Sequence, residues 1–433
     1  MSWPAAASPT LLHRLVDTQA ILRIEQGGRA LIDAWQAQRW RELQDWLRAH
    51  SPAWRERLSG GDWRAPHDWP MLSRETLQAL VARDGPVPVP PHHGPLRQGN
   101  TSGSSGIALN FFSSAFSERL MNHNYAADDV RQGRHPLGVR AVIDLRVHAS
   151  SEPPADAPRP PDDPGPPLFT RRISESGQRE HAQWLMDLQP RYLSTYPHWL
   201  QWLLEEARAQ GWPLPRIEQV MTLGATITEP LRQISREMLG AELRDRYSCE
   251  EVGPLAFQCP RSDAHYHVAV TNVRLEVVDD AGRACAPGVP GHVLVTGLHQ
   301  YATPIVRYEL GDVAALHPAC PGCGADIAAL SSVLGRRRAL LRLPDGRLLF
   351  TRTSASDWIA CAPVREHRLV QTTEQDVVAE VVVERPLLQA ERDAIVRMLQ
   401  RDLSPLLNYH VRETERIERT ASNTRQDFVS LIL

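Results

Sequence analysis

The first fifty residues carry a helical rhythm. Leu11, Leu12, Leu15 and Val16, then Ile32, Trp35, Trp40, Leu43, Trp46 and Leu47, recur every three or four positions, the spacing of one buried face of a helix. The pattern predicts helices over residues 9–50, with the tryptophans in the core rather than against a cofactor. Pro70-Met-Leu-Ser73 predicts another helix start, with Ser73 as its N-cap. Residues 85–95 are rich in proline and glycine and predict a loop. Ala141–Val147 reads as a buried strand, whereas the proline-dense residues 152–167 lack the N–H groups to join a sheet or helix. A strand at Tyr192–Tyr196, a helix from Trp199 to Ala209, a strand ending near Leu223, a turn at Gly224 and a helix from Glu229 to Leu239 follow. That alternation predicts an α/β fold.

From Val268 to Leu316 the pattern shifts to short strands, including Val273–Val278 and His292–Thr296. A boundary is expected near Leu334-Gly-Arg336. Beyond it come a hairpin (Ala339–Leu343, turn Pro344-Asp-Gly346, Arg347–Phe350), a strand Val377–Glu384 and a helix Leu388–Leu403. The expected organisation is therefore a large N-terminal domain, residues 1–335, with β-sheets flanked by helices, and a small α+β domain, residues 336–433.

Composition narrows the function classes. The 433 residues hold 48 basic and 51 acidic side chains, a net charge of −3, which gives no electrostatic footprint for nucleic acid. No apolar run approaches the roughly 20 residues of a membrane span, and Met1-Ser-Trp-Pro4 opens no secretory signal. Six cysteines in so long a chain suggest no disulfide framework, so a cytoplasmic location is expected. Every basic residue is arginine; the chain has no lysine. Compositional bias, with abundant alanine and proline, is the plain cause. The chemical consequence stands: no step here can use a lysine ammonium.

Three stretches suggest nucleotide chemistry on a carboxylic acid. Thr101-Ser102-Gly103-Ser104-Ser105-Gly106 offers hydroxyls, N–H donors and a backbone able to approach a polyphosphate, although a lone Ser/Gly loop is more often a turn. Tyr247-Ser-Cys-Glu-Glu251 and Arg307-Tyr-Glu-Leu-Gly-Asp312 supply carboxylates downstream. A separate set, Cys259, His267, Cys320 and Cys323, has the composition of a Cys₃His zinc site, with the Cys320-Pro-Gly-Cys323 turn aiming two thiols at one point. His265 is the rival ligand, and free thiols or a redox pair are the alternatives. Cys249, Cys285 and Cys361 show no partner pattern.

These motifs occur in a telling order with Thr195-Tyr-Pro-His198, Thr222-Leu-Gly-Ala225, Glu276-Val-Val-Asp279, Thr303–Tyr308 and Leu334-Gly-Arg336. Over residues 65–433 the chain resembles the adenylate-forming superfamily, and within it the phenylacetate–CoA ligase branch, which includes capsule-biosynthesis homologues. The resemblance implies joining of a small carboxylic acid to ATP, release of pyrophosphate, and transfer of the acyl group to coenzyme A, a carrier protein or another acceptor. It implies a C-terminal domain that rotates between the half-reactions, no nucleic-acid or membrane partner, and room for a homodimer. Carried over, Thr101–Gly106 would hold the β- and γ-phosphates, and Glu251 would bind Mg²⁺. Tyr247 would sit where adenine and acyl group meet. Asp312, with Arg336, would hold the ribose, while Gly224 and Ala225 would pack on adenine. His267 is the preferred fourth zinc ligand, because members start a strand with the equivalent of His267-Val268.

The chain departs from that family at its end. The family's Ser-Gly-Lys signature is replaced by Arg419-Thr-Ala-Ser-Asn-Thr-Arg-Gln-Asp427, with Asn423 for the glycine and Thr424 for the lysine. The phosphate loop continues as Ile107-Ala108 rather than Lys-Pro, and the hinge reads Arg336-Arg-Arg338. Three readings follow: a ligase in which Arg425, Arg337 or Arg338 replaces the lysine; altered acyl transfer to a nitrogen or oxygen nucleophile; or a non-catalytic nucleotide-binding relative. The acid itself is not legible, though the region after Ala141, Tyr196, His198 and Leu223 should line its pocket.

Overall fold

The computed structural model describes residues 9–57, 69–100, 110–144, 168–173, 177–224, 227–336, 340–345, 348–350, 355–417 and 428–432. The N-terminal rhythm becomes α1 (Pro9–Gln26) and α2 (Gly28–His50), followed by α3 (Pro52–Arg57) and α4 (Arg74–Asp84). Ser73 caps α4, its hydroxyl accepting the Thr76 N–H at 3.2 Å. Trp40, Trp54 and Trp69 are buried, and the Trp40 and Trp69 rings meet edge-on at 4.6 Å. Of the tryptophans expected in the core from their spacing, Trp40 is buried, while Trp35 and Trp46 are half-buried and pack against the core.

Strands β1 (Leu96–Asn100) and β2 (Asn110–Ser114) pair as a hairpin, and α5 (Ala115–Arg131) leaves directly from it. The expected phosphate loop, Thr101–Gly106, lies outside the described residues, as do the proline-dense residues 152–167. Next come β3 (Arg140–Asp144), β4 (Leu168–Arg172), α6 (Gln178–Leu188), β5 (Tyr192–Thr195), α7 (Pro197–Gln210), β6 (Gln219–Leu223), α8 (Glu229–Leu239) and β7 (Glu242–Cys249). Then β8 (Gly253–Cys259), β9 (Ser262–Val268), β10 (Val273–Val278), β11 (Pro290–Gly297), β12 (Tyr308–His317) and β13 (Ala329–Arg336) follow with no intervening α-helix.

These strands form one sheet of eleven, in the order β10-β11-β12-β13-β9-β8-β7-β6-β5-β3-β4. From β4 to β7 the pairing is parallel; from β7 to β10 it is antiparallel. Helices α6 to α8 bury Leu185, Leu200, Leu203 and Leu231 in one core with the parallel half, while α2 shares another with the antiparallel half. The expected α/β class, sheets flanked by helices, is the fold observed.

The C-terminal part has a β14 (Leu340–Arg342)–β15 (Leu348–Phe350) hairpin and α9 (Ala355–Cys361). It continues through β16 (Val364–Gln371), β17 (Asp376–Val383), α10 (Gln389–Asp402), β18 (Asn408–Glu413) and β19 (Phe428–Ser430). Its four-stranded sheet runs β18-β17-β16-β19 and packs its own core of Trp358, Leu369, Val377, Ile395 and Leu399.

Helix α5 went unread in the sequence because its inner face is polar: Ser117, His123, Asn124, Asp128 and Asp129 are all buried there. Arg134 bridges Asp128 at 2.7 Å and Asp129 at 3.0 Å; Arg140 meets Asp129 at 2.9 Å, and Arg131 meets Glu25 at 2.8 Å. Arg246, on β7, reaches Asp128 at 3.5 Å. Four guanidiniums thus face three carboxylates. The excess positive charge lies over aromatic faces, Arg131 on Phe257, Arg246 on Tyr125 and Arg140 on Tyr192, at 4.9–5.3 Å. Burial works to raise the Asp128 carboxyl, but Arg134, Arg246 and Arg131 outweigh it and hold it below the ordinary carboxylate value. Arg134→Ala should therefore cost about 3–5 kcal/mol, since it strands buried carboxylates. Urea unfolding measures this, and a loss below about 1 kcal/mol would show that water replaces the guanidinium.

Candidate functional site

The sheet's change from parallel to antiparallel falls at β7, and near its end lie Tyr247, Glu251 and Asp312. The Tyr247 hydroxyl, near the end of β7, donates to Asp312 Oδ2 on β12 at 2.6 Å. Register pairs Asp312 with Arg336 across β12 and β13. Just past β7, the Glu251 side chain is 7% exposed; it accepts the Tyr308 hydroxyl at 3.3 Å, and Arg74 approaches to 4.0 Å. Burial, and then Glu251, push the Tyr308 hydroxyl well above its usual range, so it stays a donor. Tyr308 and Arg74 were not picked out in the sequence. Tyr308 lies within the Arg307–Asp312 motif but was given no role there, Arg74 lies in no motif, and what singles both out is their distance to Glu251.

Other motifs meet here. Arg307 adopts φ 48° and is held there by Glu276 at 3.2 Å and the Trp69 carbonyl at 2.7 Å. Thr303 Oγ1 accepts the Phe112 N–H at 2.8 Å, tying the β1–β2 hairpin to the Thr303–Tyr308 stretch. Gly224 ends β6 with φ 80°, and a Cβ there would sit 3.4 Å from the Tyr196 ring. A side chain at this position would be strained by the positive φ, though its Cβ would meet the ring only at ordinary contact distance. Ala225 and Arg425 lie outside the described residues, with Asn423, Thr424, Arg337 and Arg338.

The cysteine set converges. Cys259 closes β8, His267 lies in β9, and Cys320 and Cys323 share the turn between β12 and β13. Their four ligand atoms lie within 4.8 Å of one another, with Cys323 Sγ 3.3 Å from His267 Nε2. A tetrahedral zinc with these ligands has edges of about 3.5–3.8 Å, so the donor set and spacing fit that ion. Burial, then Arg131, lower the His267 imidazole to about 4, leaving it neutral as a ligand must be. His265, the rival, engages Ser262 through Nδ1 at 2.8 Å. The strand carrying His267 begins at Ser262, earlier than the expected His-Val start.

Between the two clusters lies Asp245 on β7. Its carboxylate accepts Thr222 Oγ1 at 3.0 Å and the Tyr266 hydroxyl at 2.9 Å, and so links β9 to the strand that ends at Gly224.

No protein-family model matches the chain. A stretch of 163 residues is 31% identical to phenylacetate-coenzyme A ligase from Thermus thermophilus, spanning 36% of this chain and 36% of that protein. The match thus covers about a third of the curated relative's length. The crystal structure of 2-hydroxyisobutyryl-CoA ligase in the postadenylation state, in complex with 2-HIB-AMP, aligns with a TM-score of 0.72 at 17% identity. That alignment covers 94% of this chain and 91% of that one. O-succinylbenzoate coenzyme A synthetase from Bacillus subtilis, in complex with AMP, aligns with a TM-score of 0.54 at 17% identity, over 76% and 67%. The chain has the fold of the adenylate-forming acyl-CoA synthetases. The resemblance to the phenylacetate–CoA ligase branch rests on both its motifs and that homologous stretch. Among the described residues no helix is long and apolar enough to cross a membrane.

Burial raises the Asp245 carboxyl from 3.8 to about 6, against the opposing Tyr266, Thr222 and Arg246 N–H donors. The folded state therefore binds more protons than the unfolded chain between these values. Stability from this group is greatest below pH 3.8 and falls as pH rises towards 6. The unfolding free energy of wild type minus that of Asp245→Asn should decline across this window, by at most about 1.4 kcal/mol per pH unit. A flat difference would mean that Asp245 titrates as a solvated carboxyl.

Proposed function

We propose that this protein activates a carboxylic acid with ATP and Mg²⁺ as an acyl-adenylate and passes the acyl group to coenzyme A or another acceptor. The observation that carries this reading is the meeting of Tyr247–Asp312 and Tyr308–Glu251 at one end of β7. Each hydroxyl fixes the orientation of its carboxylate, half-buried at Asp312 and buried at Glu251, where Arg74 is also near. Asp312, oriented by Tyr247, suits ribose hydroxyls, which donate hydrogen bonds. Glu251, oriented by Tyr308, suits Mg²⁺, which takes one or two carboxylates beside phosphate oxygens. Mg²⁺ would supply neutralisation of the charge that builds as a carboxylate attacks the α-phosphorus. In the B. subtilis O-succinylbenzoate synthetase, ATP and magnesium have been captured together, which supports the assignment.

Residues 1–335 would form the adenylation domain, with Thr101–Gly106 on the β- and γ-phosphates, Gly224 and Ala225 against adenine, and Arg336 beside the ribose. Residues 336–433, with their separate core, would act as the moving lid. Cys259, His267, Cys320 and Cys323 would hold a structural Zn²⁺; four protein ligands leave no open position for catalysis. With no lysine in the chain, Arg425 is the group proposed to reach the α-phosphate, since its guanidinium is always charged and can span two oxygens. The same absence favours, as a second reading, acyl transfer to a nitrogen or oxygen nucleophile by the same site.

Acid-dependent exchange of labelled pyrophosphate into ATP tests the activity. Arg425→Ala should slow exchange about 10²-fold or more while AMP still raises the melting temperature. Asp312→Ala should remove most of that thermal shift, which at 100 times Kd corresponds to about 2.7 kcal/mol. If Arg425→Ala changes nothing and Thr424→Lys with Asn423→Gly adds no exchange with any acid, the ligase reading fails.

Elemental analysis should find about one zinc per chain, lost on Cys320→Ala with Cys323→Ala. Metal-free protein, or zinc retained in that variant, would overturn the zinc assignment.

A further inference from the structure

The corner that holds Cys259, His267, Cys320 and Cys323 has little apolar packing of its own. Its buried cluster is Cys259, Cys320 and Ala329, with Cys323 and Ala325 against it. Among the described residues no large apolar side chain belongs to that cluster, so the ligand groups are themselves its core. The strand that carries His267 is lightly tied. On one side β9 pairs with β13 over three residues, His265–His267 against Ala329–Ser331, extended by a Val268 N–H bond to the Ala328 carbonyl at 2.9 Å. On the other side its register with β8 shifts between Gln258 and Cys259. A strand held in this way takes its final place from whatever joins His267 to Cys259 and to the Cys320–Cys323 turn, and a metal ion there would make that join.

The chain neighbours of two ligands fasten Asp245. Side chains alternate along β9, so Tyr266 leaves the sheet on the face opposite His267. Its hydroxyl donates to Asp245 Oδ2 at 2.9 Å. Gln258, next to Cys259, accepts the Asp245 N–H at 2.7 Å and donates its amide to the Asp263 carbonyl at 3.0 Å. Asp245 in turn accepts Thr222 Oγ1 at 3.0 Å, and Thr222 stands two residues before Gly224, which is proposed to pack on adenine. Two residues after Asp245 comes Tyr247, whose hydroxyl holds Asp312, the proposed ribose carboxylate. Asp245 therefore stands between the ligand-bearing strands and both halves of the nucleotide site.

We infer that the Cys259–His267–Cys320–Cys323 centre is a control site for the nucleotide pocket: metal bound there fixes β9 and, through Tyr266, Gln258 and Asp245, raises the affinity for an adenine nucleotide. This rests on the adenylation reading and the zinc assignment above. The element that both ligands bias is β9. In place, it presents the Tyr266 hydroxyl to Asp245; displaced, it withdraws a donor from a carboxylate that Thr222 also uses. Coupling of this kind is reciprocal, so the nucleotide raises the affinity for zinc by the same factor. Tyr266 and Asp245 are positioning residues: neither ligates the metal and neither meets the nucleotide.

The test uses the full chain, with zinc and AMP as the probes. Zinc-loaded protein and protein stripped by a chelator are titrated with AMP by calorimetry, and circular dichroism checks that both are folded. Stripping should weaken AMP binding about tenfold. In loaded protein, saturating AMP should slow zinc transfer to a chromogenic chelator. Tyr266→Phe should keep its zinc and lose both effects, its AMP affinity changing about twofold or less on stripping. If stripped protein does not fold, the transfer measurement decides. Slowing by AMP that Tyr266→Phe abolishes supports the link; slowing that persists in the variant comes from global unfolding and overturns it. Equal AMP affinity with and without zinc also overturns the proposal, and leaves the ligase reading and the zinc assignment standing. Protein that takes up no zinc removes the proposal together with the zinc assignment. Zinc-loaded protein that binds no AMP removes it together with the adenylation reading.

Discussion

Asp128 stays charged in the interior because guanidiniums from three places converge on it: Arg131 at the end of α5, Arg134 in the turn that follows, and Arg246 on β7. A buried carboxylate tolerates no loss of partner, so α5 and β7 share one fixed relation. The consequence reaches the candidate site at both ends. Helix α5 descends from the hairpin that brackets the expected phosphate loop, and Arg246 is the chain neighbour of Tyr247. A one-residue slip of β7 would turn Arg246 outward and carry Tyr247 away from Asp312. Arginine is suited to this work. Arg134 reaches Asp128 and Asp129 through one planar group, which an ammonium on a single stem does less well. The lysine-free composition that removes a familiar catalytic group is thus compatible with a well-built buried network.

Around the working edge, tyrosine hydroxyls repeatedly hold carboxylates: Tyr247 with Asp312, Tyr308 with Glu251, Tyr266 with Asp245, and Tyr196 with Asp144. Half of the chain's eight tyrosines are spent this way. A hydroxyl satisfies part of a carboxylate's hydrogen-bonding capacity without cancelling its charge, as a guanidinium would. The two kinds of partner divide the acidic residues by use. Asp128 and Asp129 are neutralised by arginine and serve the fold. Asp312, Glu251 and Asp144 each accept a tyrosine hydroxyl, with Arg74 also 4.0 Å from Glu251.

Much of the local structure was legible along the chain. Helices α1, α2, α4, α7, α8 and α10, and strands β3, β5, β6, β10, β11 and β17, lie where apolar spacing and capping residues predict them, although Leu15 and Val16 of α1, expected on its buried face, are exposed. Helix α5 and strand β7 did not stand out. Their buried faces carry Asp128, Asp129, Asp245 and Arg246, and charge on an inner face erases the periodic signal on which such reading depends. The motif residues Tyr247, Glu251 and Asp312 could be named in advance. Tyr308 lay within the Arg307–Asp312 motif without a role assigned to it, and Arg74, which approaches Glu251, was marked by nothing in the neighbouring sequence.

What the sequence determined by itself is chemical inventory and local form: which donors, carboxylates and thiols exist, the turn that brings Cys320 beside Cys323, and the α/β alternation. Only the tertiary structure decided which of them meet. His267 joins the cysteines because β9 pairs with β13, setting His267 opposite Ala329. Asp312 lies opposite Arg336, and within reach of Tyr247, because of how β12 and β13 return to the sheet. Asp144 faces Tyr196 because β3 and β5 are parallel neighbours. Strand pairing is a contest among distant segments, won by the arrangement that satisfies buried backbone and charged groups together, and no short window of sequence contains both sides of that contest.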